Sequence, residues 1–353
     1  MTTDILGYEI DARLNDGCPL VTFALFAYNQ EKYIREAVEG AFSQTYEPLE
    51  IILSDDCSSD QTFEIMKDMA SKYQGPHSVR VRRQPVNDGL LNHVCAVISE
   101  MRGEIMVLAA GDDISVPERV ETIIASWTRE CLAIYSACDL INEYGKTVQR
   151  KWTPQHGARN RFPWLKNLQS ELFVYGASSS YHKTILQNLP RSYSKVFSED
   201  TPLNLLVQFS TGKINLCSEP LVKYRIHDNT ISSNNFSLRP SLKEIHYEEK
   251  GRARKIVIQR DILIYLKDIL VPSVSAHELI DLDWLQNEID FCNLRIKWYC
   301  APSWQRAKII AGAPKRSWRW LAPRLLGMNI YVALRYLLFK FRPKSKHSSE
   351  LKS

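Results

Sequence analysis

Short apolar runs that alternate with helical patterns fill residues 20–113, and no other feature constrains the fold as tightly. The runs are typical of buried strands and lie at Leu20–Ala27, Glu50–Leu53, Val79–Arg83 and Glu104–Ala110. Apolar residues at helical spacing between them predict helices over residues 31–43, 62–72 and 92–102. The order β-α-β-α-β-α-β predicts an α/β fold with a parallel sheet flanked by helices.

The chain beyond residue 113 predicts a continuation of this domain and then a change of character. Helices are expected over residues 117–128 and 199–210, a strand over 132–139, one or two strands within 214–226, and a loop-rich stretch over 144–170. Charged helical patterns follow over residues 241–270 and 276–298. We therefore predict an α/β domain over residues 1–240, a helical extension over 241–313 and a basic tail over 314–353.

Charge is concentrated in that tail. The net charge of +5 is mild for 353 residues, but Lys and Arg cluster between Arg306 and Lys352. Arg335 interrupts the apolar run of residues 318–341, which disfavours a membrane-spanning helix. A basic amphipathic segment lying on an anionic membrane fits the pattern, and a helix packed on the protein itself fits it equally well. No nucleic-acid-binding module is recognisable, so nucleic acid is not an expected partner.

The cysteines and the N-terminus indicate a reducing compartment. None of the eight cysteines forms a CxxC pair, which argues against a zinc ribbon or a thioredoxin-type centre. Residues 1–11 lack the basic start and apolar run of a signal peptide. We predict reduced, mostly buried cysteines and a cytoplasmic location, with the tail allowing peripheral contact with the inner face of the plasma membrane.

Acidic pairs end two of the predicted strands. Asp55 and Asp56 follow the second strand, and Asp112 and Asp113 follow the fourth. Ligands of parallel α/β sheets bind at the carboxyl ends of the strands. Adjacent carboxylates there suit Mg²⁺ or Mn²⁺, which can neutralise charge on a diphosphate leaving group. The alternative for each pair is a turn that caps the following helix.

Two further polar groups occur later in the chain. Glu199 and Asp200 precede a predicted helix with Pro202 in its first turn. A carboxylate there could take the proton from an acceptor hydroxyl, or it could only cap the helix. His227 becomes a candidate metal ligand only if carboxylates lie beside it.

Seven short segments, taken in their order along the chain, resemble glycosyltransferase family 2. They are Phe26–Ile34, Gln44–Tyr46, Leu53–Thr62, Asn87–Gly89, Arg102–Glu104, Gly111–Asp113 and Tyr224–His227. The resemblance covers roughly residues 18–232. Each segment is weak evidence by itself, and their combined order makes the resemblance specific.

The resemblance implies a GT-A type fold, which is a Rossmann-like, mixed and mainly parallel sheet flanked by helices, here with a C-terminal helical extension. It also implies inverting transfer of a sugar from a nucleotide-diphosphosugar donor to an acceptor hydroxyl, with Mn²⁺ or Mg²⁺. The acceptor would be a glycan or a lipid-linked glycan. By analogy, the setting would be polysaccharide biosynthesis of the O-antigen or capsule kind.

The same resemblance assigns roles to individual residues. The nucleotide pocket would be lined by Ala27, Tyr28 and Glu31, and the polar strand ends add Asn29 and Asp56. Asp55 would contact the base and Asp112 the ribose. Asp113 and His227 would bind the metal, and Asp200 would be the catalytic base with Glu199 beside it.

One position departs from the family pattern and keeps an alternative open. Many members carry an Asp where this chain has Ala110, two residues before Asp112. A non-catalytic protein that binds a nucleotide sugar, or a scaffold derived from the same fold, is therefore the alternative. A sugar-phosphate nucleotidyltransferase fits less well, because the loop after the first strand, residues 28–31, contains no Gly.

Overall fold

The structure is a computed structural model that describes residues 18–153, 172, 174, 176–192, 196, 199–210, 212–227, 256–273, 280–301, 305–306 and 308–309. Contacts between Cα atoms divide the chain into two compact units. The first comprises residues 1–230 and 261–285, and the second comprises residues 231–260 and 286–353. The predicted domain boundary near residue 240 lies outside the described residues and stays a prediction, as do the boundaries near 313.

Four parallel strands form one half of the sheet in the first unit. These are β1 (Val21–Ala27), β2 (Leu49–Asp55), β3 (Ser78–Arg83) and β4 (Ile105–Ala110). Their order is β3-β2-β1-β4, with β1 paired in parallel to both β2 and β4. Every residue of β1 and β2 is buried, as expected for strands covered on both faces.

The other half of the sheet is mixed. It contains β5 (Ile114–Ser115), β6 (Cys131–Asn142), β7 (Thr147–Trp152), β8 (Ser179–His182) and β9 (Lys213–Ile226). Strand β8 joins the halves because it runs antiparallel to both β4 and β6. Strand β9 lies parallel to β6 and antiparallel to β5. This pairing brings the end of β9 to the loop between β4 and β5.

Helices connect and cover these strands. In the first half they are α1 (Ile34–Phe42), α2 (Thr62–Ser71), α3 (Leu90–Ile98) and α4 (Arg119–Ala125). They are followed by a 3₁₀ turn (Gly176–Ser178), α5 (Lys183–Leu186) and α6 (Asp200–Phe209). The main core packs alternate residues of β1 and β2 against the buried faces of α1 and α4, with Phe23, Leu25, Ile34 and Ile123 fully buried. Burial of such side chains contributes about 1.5–3 kcal/mol each.

The C-terminal part of the description is helical. Helix α7 covers residues 256–265 and continues through a π-helical turn (Leu266–Leu270) into Val271–Ser273. Helix α8 covers Leu282–Cys300. In the second unit, Trp298 is fully buried and the Arg306 guanidinium lies 4.6 Å from the centre of its ring.

The described elements both confirm and correct the sequence predictions. Strands β1–β4 and helices α1–α4 and α6 lie within one to three residues of the predicted bounds in most cases. The loop-rich prediction for residues 144–170 is wrong over β7, which pairs with β6.

All eight cysteines are unpaired, and five of them are buried. No helix among the described residues has the length and apolarity required to cross a membrane. The tail over residues 314–353 lies outside the described residues.

Candidate functional site

The loops that follow β1 and β2 are joined by reciprocal hydrogen bonds. Asn29, whose φ of 52° is one that Asn tolerates better than most residues, donates its backbone N–H to Ser58 Oγ at 2.9 Å. Asn29 Oδ1 accepts from the Ser59 backbone N–H at 2.8 Å. Glu31 Oε2 accepts from the Gln61 backbone N–H at 3.0 Å. These loops therefore form one ordered rim at the carboxyl end of the sheet.

Asp55 ends β2 inside this rim and is completely buried. Its Oδ2 accepts from the Ser58 backbone N–H at 2.8 Å and lies 3.3 Å from Arg83 Nε. Its Oδ1 has no hydrogen-bond partner among the residues that the structure describes. A buried oxygen of this kind is costly unless a donor reaches it, so Asp55 is prepared to accept a hydrogen bond from a bound ligand.

Three other predicted pocket residues lie around Asp55. Ala27 ends β1, and its carbonyl accepts from the Asp56 backbone N–H at 2.9 Å. Asp56 is itself buried, whereas the Tyr28 side chain is 47% exposed. Tyr28 follows Ala27, whose Cα pairs with that of Asp55, so an exposed aromatic ring and a buried acceptor lie at the same edge of the sheet, where a base could stack on one and donate to the other.

The side chains of Asp112 and His227 are in contact at the carboxyl end of the sheet. Asp112 follows β4, His227 follows β9, and Asp112 Oδ2 lies 3.0 Å from His227 Nε2. Their side chains are 16% and 11% exposed, so both are accessible from one side. The Tyr33 ring lies beside the imidazole, with the ring centres 5.0 Å apart. A carboxylate and an imidazole in contact form a donor set that a divalent cation can use.

Asp113 lies deeper than Asp112. Its Oδ1 accepts from the Arg225 backbone N–H at 2.8 Å, and its Oδ2 has no hydrogen-bond partner within the described part of the chain. Burial raises the pKa of Asp113 well above its usual range, and the neighbouring Asp112 carboxylate raises it further. Asp113 thus stabilises the end of β9, while Asp112 is the more accessible carboxylate of the pair.

Glu199 and Asp200 lie at the start of α6. Glu199 is buried, and its Oε1 would be 2.6 Å from a Cβ atom at Gly176, so a side chain at Gly176 would have to displace the Glu199 carboxyl. Burial raises the pKa of Glu199 to about 8, and the charge of Asp200 adds to the shift. Burial also raises the pKa of Tyr181 well above its usual range, with Asp200 and Glu199 as further causes. The Glu199 carboxyl is therefore held neutral beside the more exposed Asp200.

The buried Glu199 carboxyl makes stability depend on pH. The pKa of Glu199 rises from 4.5 to about 8 on folding. Its contribution to the free energy of unfolding is therefore fully present below pH 4.5 and is lost as the pH rises towards 8. We expect Glu199→Gln to be more stable than the wild type at pH 8 by at least ~1 kcal/mol, since one pKa unit corresponds to about 1.4 kcal/mol. The advantage should shrink at pH 5. Urea unfolding at both pH values measures this, and an equal difference at both would contradict it.

The sequence profile of the family described as "Glycosyl transferase family 2" matches residues 22–189, which contain the two loops and both acidic pairs at strand ends. This segment belongs to glycosyl transferase family 2.

Relatives of this family 2 glycosyltransferase carry the same general description. An uncharacterized glycosyltransferase of Haemophilus influenzae is 25% identical over 289 residues, which is 76% of this chain and 82% of that protein. An uncharacterized glycosyltransferase of Rickettsia felis is 31% identical over 144 residues. That alignment covers 39% of this chain and 23% of the relative, so this chain spans about a quarter of the length of the Rickettsia protein.

A solved structure supports the fold of the family 2 glycosyltransferase. The crystal structure of GalNAc-T7 with UDP, GalNAc and Mn²⁺ matches 78% of this chain and 57% of that chain, with a TM-score of 0.52 and 14% identity. At this identity the likeness concerns the fold alone. The predicted fold class, a mixed α/β sheet flanked by helices with a C-terminal helical part, is confirmed.

The structure brings several predicted site residues of the glycosyltransferase together and pairs two of them unexpectedly. His227 contacts Asp112, whereas Asp113 had been predicted as the other metal ligand. Among the described residues no group of three or more His, Cys, Asp or Glu side chains is arranged to hold a metal ion. Sequence reasoning gave no role to Arg225 or Tyr33, although both lie inside the segments that resemble the family.

Proposed function

We propose that this family 2 glycosyltransferase transfers a sugar, with inversion, from a nucleotide-diphosphosugar to an acceptor hydroxyl. The contact between Asp112 and His227 carries the proposal. It joins residues 115 positions apart at the end of the sheet where the nucleotide-binding loops also lie. In a family 2 domain, such a pair is suited to bind a divalent cation beside the donor diphosphate.

The nucleotide would bind at the rim formed by the loops after β1 and β2. The exposed Tyr28 ring offers a stacking surface. Asp55 Oδ1, which has no partner among the described residues, offers an acceptor for a base N–H. Asn29 and Glu31 hold the two loops in register, and their side chains already accept backbone N–H groups of the neighbouring loop. We therefore assign Tyr28 and Asp55 to direct contact and Asn29 and Glu31 to the shape of the pocket.

Mn²⁺ or Mg²⁺ fits the donor set of Asp112 and His227. Both ions accept carboxylate ligands and commonly complete their coordination with substrate phosphate oxygens and water, so two protein ligands are sufficient. The cation would supply neutralisation of charge on the diphosphate leaving group. This proposal exchanges the sequence-based roles of the acidic pair, because Asp112 is the carboxylate that contacts His227 and is the more exposed of the two.

Asp200 would be the catalytic base. The acceptor oxygen forms a bond to the anomeric carbon, the bond from that carbon to the diphosphate oxygen breaks with its electron pair, and Asp200 takes the acceptor proton. Attack opposite to the leaving group gives inversion. Burial raises the pKa of the neighbouring Glu199 to about 8, and we therefore assign the role of the base to Asp200.

The acceptor class rests on the family resemblance. A glycan or lipid-linked glycan acceptor, and a role in O-antigen-like or capsule-like polysaccharide biosynthesis, are the expectations that the resemblance carries. Peripheral contact of a cytoplasmic protein with the membrane through residues 314–353 stays a prediction from the sequence.

Donor turnover tests the proposal. The protein is incubated with UDP-, GDP- and dTDP-sugars and with membrane extract as a source of acceptor, in Mn²⁺ and in EDTA, and release of the nucleoside diphosphate is measured. We expect release from one donor class and its loss in EDTA, because the leaving diphosphate then lacks its counter-charge.

Two results would contradict this function in different ways. Donor binding without release would favour the non-catalytic alternative, for which the Ala110 position was the motivation. Release that is unchanged by EDTA would remove the metal from the proposal while leaving the transfer reaction in place.

A further inference from the structure

Arg225 is the most extensively bonded side chain near the proposed metal site. It is 1% exposed, which is rare for an arginine. Its Nε donates to the Asp112 carbonyl at 2.8 Å, and one terminal nitrogen donates to the Glu143 carbonyl at 3.2 Å. The other donates to Glu36 Oε2 at 3.1 Å. One guanidinium thus ties the loop after β4 to the turn after β6 and to helix α1.

The backbone and the flat face of the same residue add two more contacts. The Arg225 backbone N–H donates to Asp113 Oδ1, and its Nε donates to the Asp112 carbonyl. Arg225 therefore bonds to both residues of the acidic pair. Its guanidinium carbon lies 4.7 Å from the centre of the Tyr33 ring, and that ring also contacts His227. Both members of the Asp112–His227 pair are therefore held by groups that Arg225 touches.

We propose that Arg225 is a positioning residue for the divalent cation, acting through Asp112 and, by way of Tyr33, through His227. The inference rests on the proposed function and extends it from the two ligands to the residue that holds them in place. Ligands of a metal ion depend on hydrogen-bonded neighbours for their orientation, and here one buried side chain serves both ligands.

The shape of the guanidinium is what makes the role specific. Arginine presents several donors in a planar fork, and these reach two carbonyls and a carboxylate in different directions. Lysine keeps the positive charge but concentrates it at one point, so it cannot serve all three acceptors together. An Arg225→Lys variant therefore separates the effect of geometry from the effect of charge.

Mn²⁺ binding tests the proposal without requiring catalysis. The free Mn²⁺ signal in electron paramagnetic resonance is titrated with full-length wild type, Arg225→Lys and a matched control, Arg82→Lys, in the presence of UDP. Arg82 is also largely buried, and its guanidinium donates to Glu100, Ser54 and Gln84. It lies on β3, which is the first strand of the sheet order, whereas β9 is the next to last. Thermal unfolding of all three proteins records any loss of stability.

We expect Arg225→Lys to weaken Mn²⁺ binding by ~10–100-fold, as is typical when a partner of a metal ligand is changed. Arg82→Lys should bind Mn²⁺ as the wild type does, even if its melting temperature falls equally. Excess Mn²⁺ should restore binding in Arg225→Lys, because the ligands themselves are intact.

Equal Mn²⁺ affinity in Arg225→Lys and the wild type would overturn the positioning role and leave the metal site in place. Equal losses in both Lys variants would overturn it as well, since they would follow stability alone. Failure of the wild type to bind Mn²⁺ would overturn the metal part of the proposed function, and the role of Arg225 with it.

Discussion

Asp112→Asn should lower donor turnover by at least ~10²-fold, because a metal's charge stabilisation is worth several kcal/mol and each 1.4 kcal/mol corresponds to a tenfold change in rate. Asn keeps the size of Asp and can still hydrogen-bond to His227, so the fold should persist. What it loses is the negative charge that attracts the cation. Steady-state release of the nucleoside diphosphate at several Mn²⁺ concentrations measures the effect.

The chain offers a matched control for that variant. Asp139 is 15% exposed, close to the 16% of Asp112, and it pairs with Arg150 on the neighbouring strand β7. Asp139→Asn should keep full turnover. Asp113→Asn separates the two acidic neighbours: if it abolished Mn²⁺ binding while Asp112→Asn preserved it, the exchange of roles proposed here would be wrong.

Asp200→Asn should reduce transfer by ~10²–10⁴-fold, the range expected when a general base is removed. Asn can keep the first-turn position at the start of α6, so the melting temperature should change little. Donor affinity, measured by UDP-sugar titration in Mn²⁺, should also be unchanged, because Asp200 acts on the acceptor. The loss should therefore appear in kcat.

Asp283→Asn is the corresponding control, since Asp283 occupies the first turn of α8 as Asp200 does in α6. It should retain full turnover. Full transfer by Asp200→Asn in a folded protein would show that another group takes the acceptor proton. A fall in donor affinity of the same size as the fall in kcat would point to a role in donor binding.

The sequence was sufficient to predict the elements that are defined locally. Strands β1, β2 and β4 are continuous apolar runs buried on both faces, and their polar ends mark the edge where ligands bind. Strand β8 reads Ser-Ser-Tyr-His and carries no such signal. It is a strand because β4 and β6 pair with it on both sides, which is a property of the tertiary fold.

The residues of the candidate site could likewise be predicted only in part. Asp55 and Asp112 could be predicted as candidates because each ends an apolar run. Both carboxylates contact the end of β9, Asp113 through the Arg225 backbone N–H and Asp112 through the His227 imidazole, and no spacing in the sequence encodes which one meets the imidazole. The full burial of Arg225 could not be predicted from the sequence either, because arginine in a strand is ordinarily expected at the surface.

The late position of strand β9 in the sequence determines when the residues of the proposed cation site are all present in a newly synthesised chain. Protein synthesis proceeds at roughly 5–20 residues per second, so His227 is added on the order of 10 s after Asp112. During that interval the segments that form β1–β4 and the loops after β1 and β2 have been made, but the Arg225 N–H and the imidazole that contact Asp113 and Asp112 have not. The proposed cation site is therefore complete only after β9 has been synthesised and has joined the sheet.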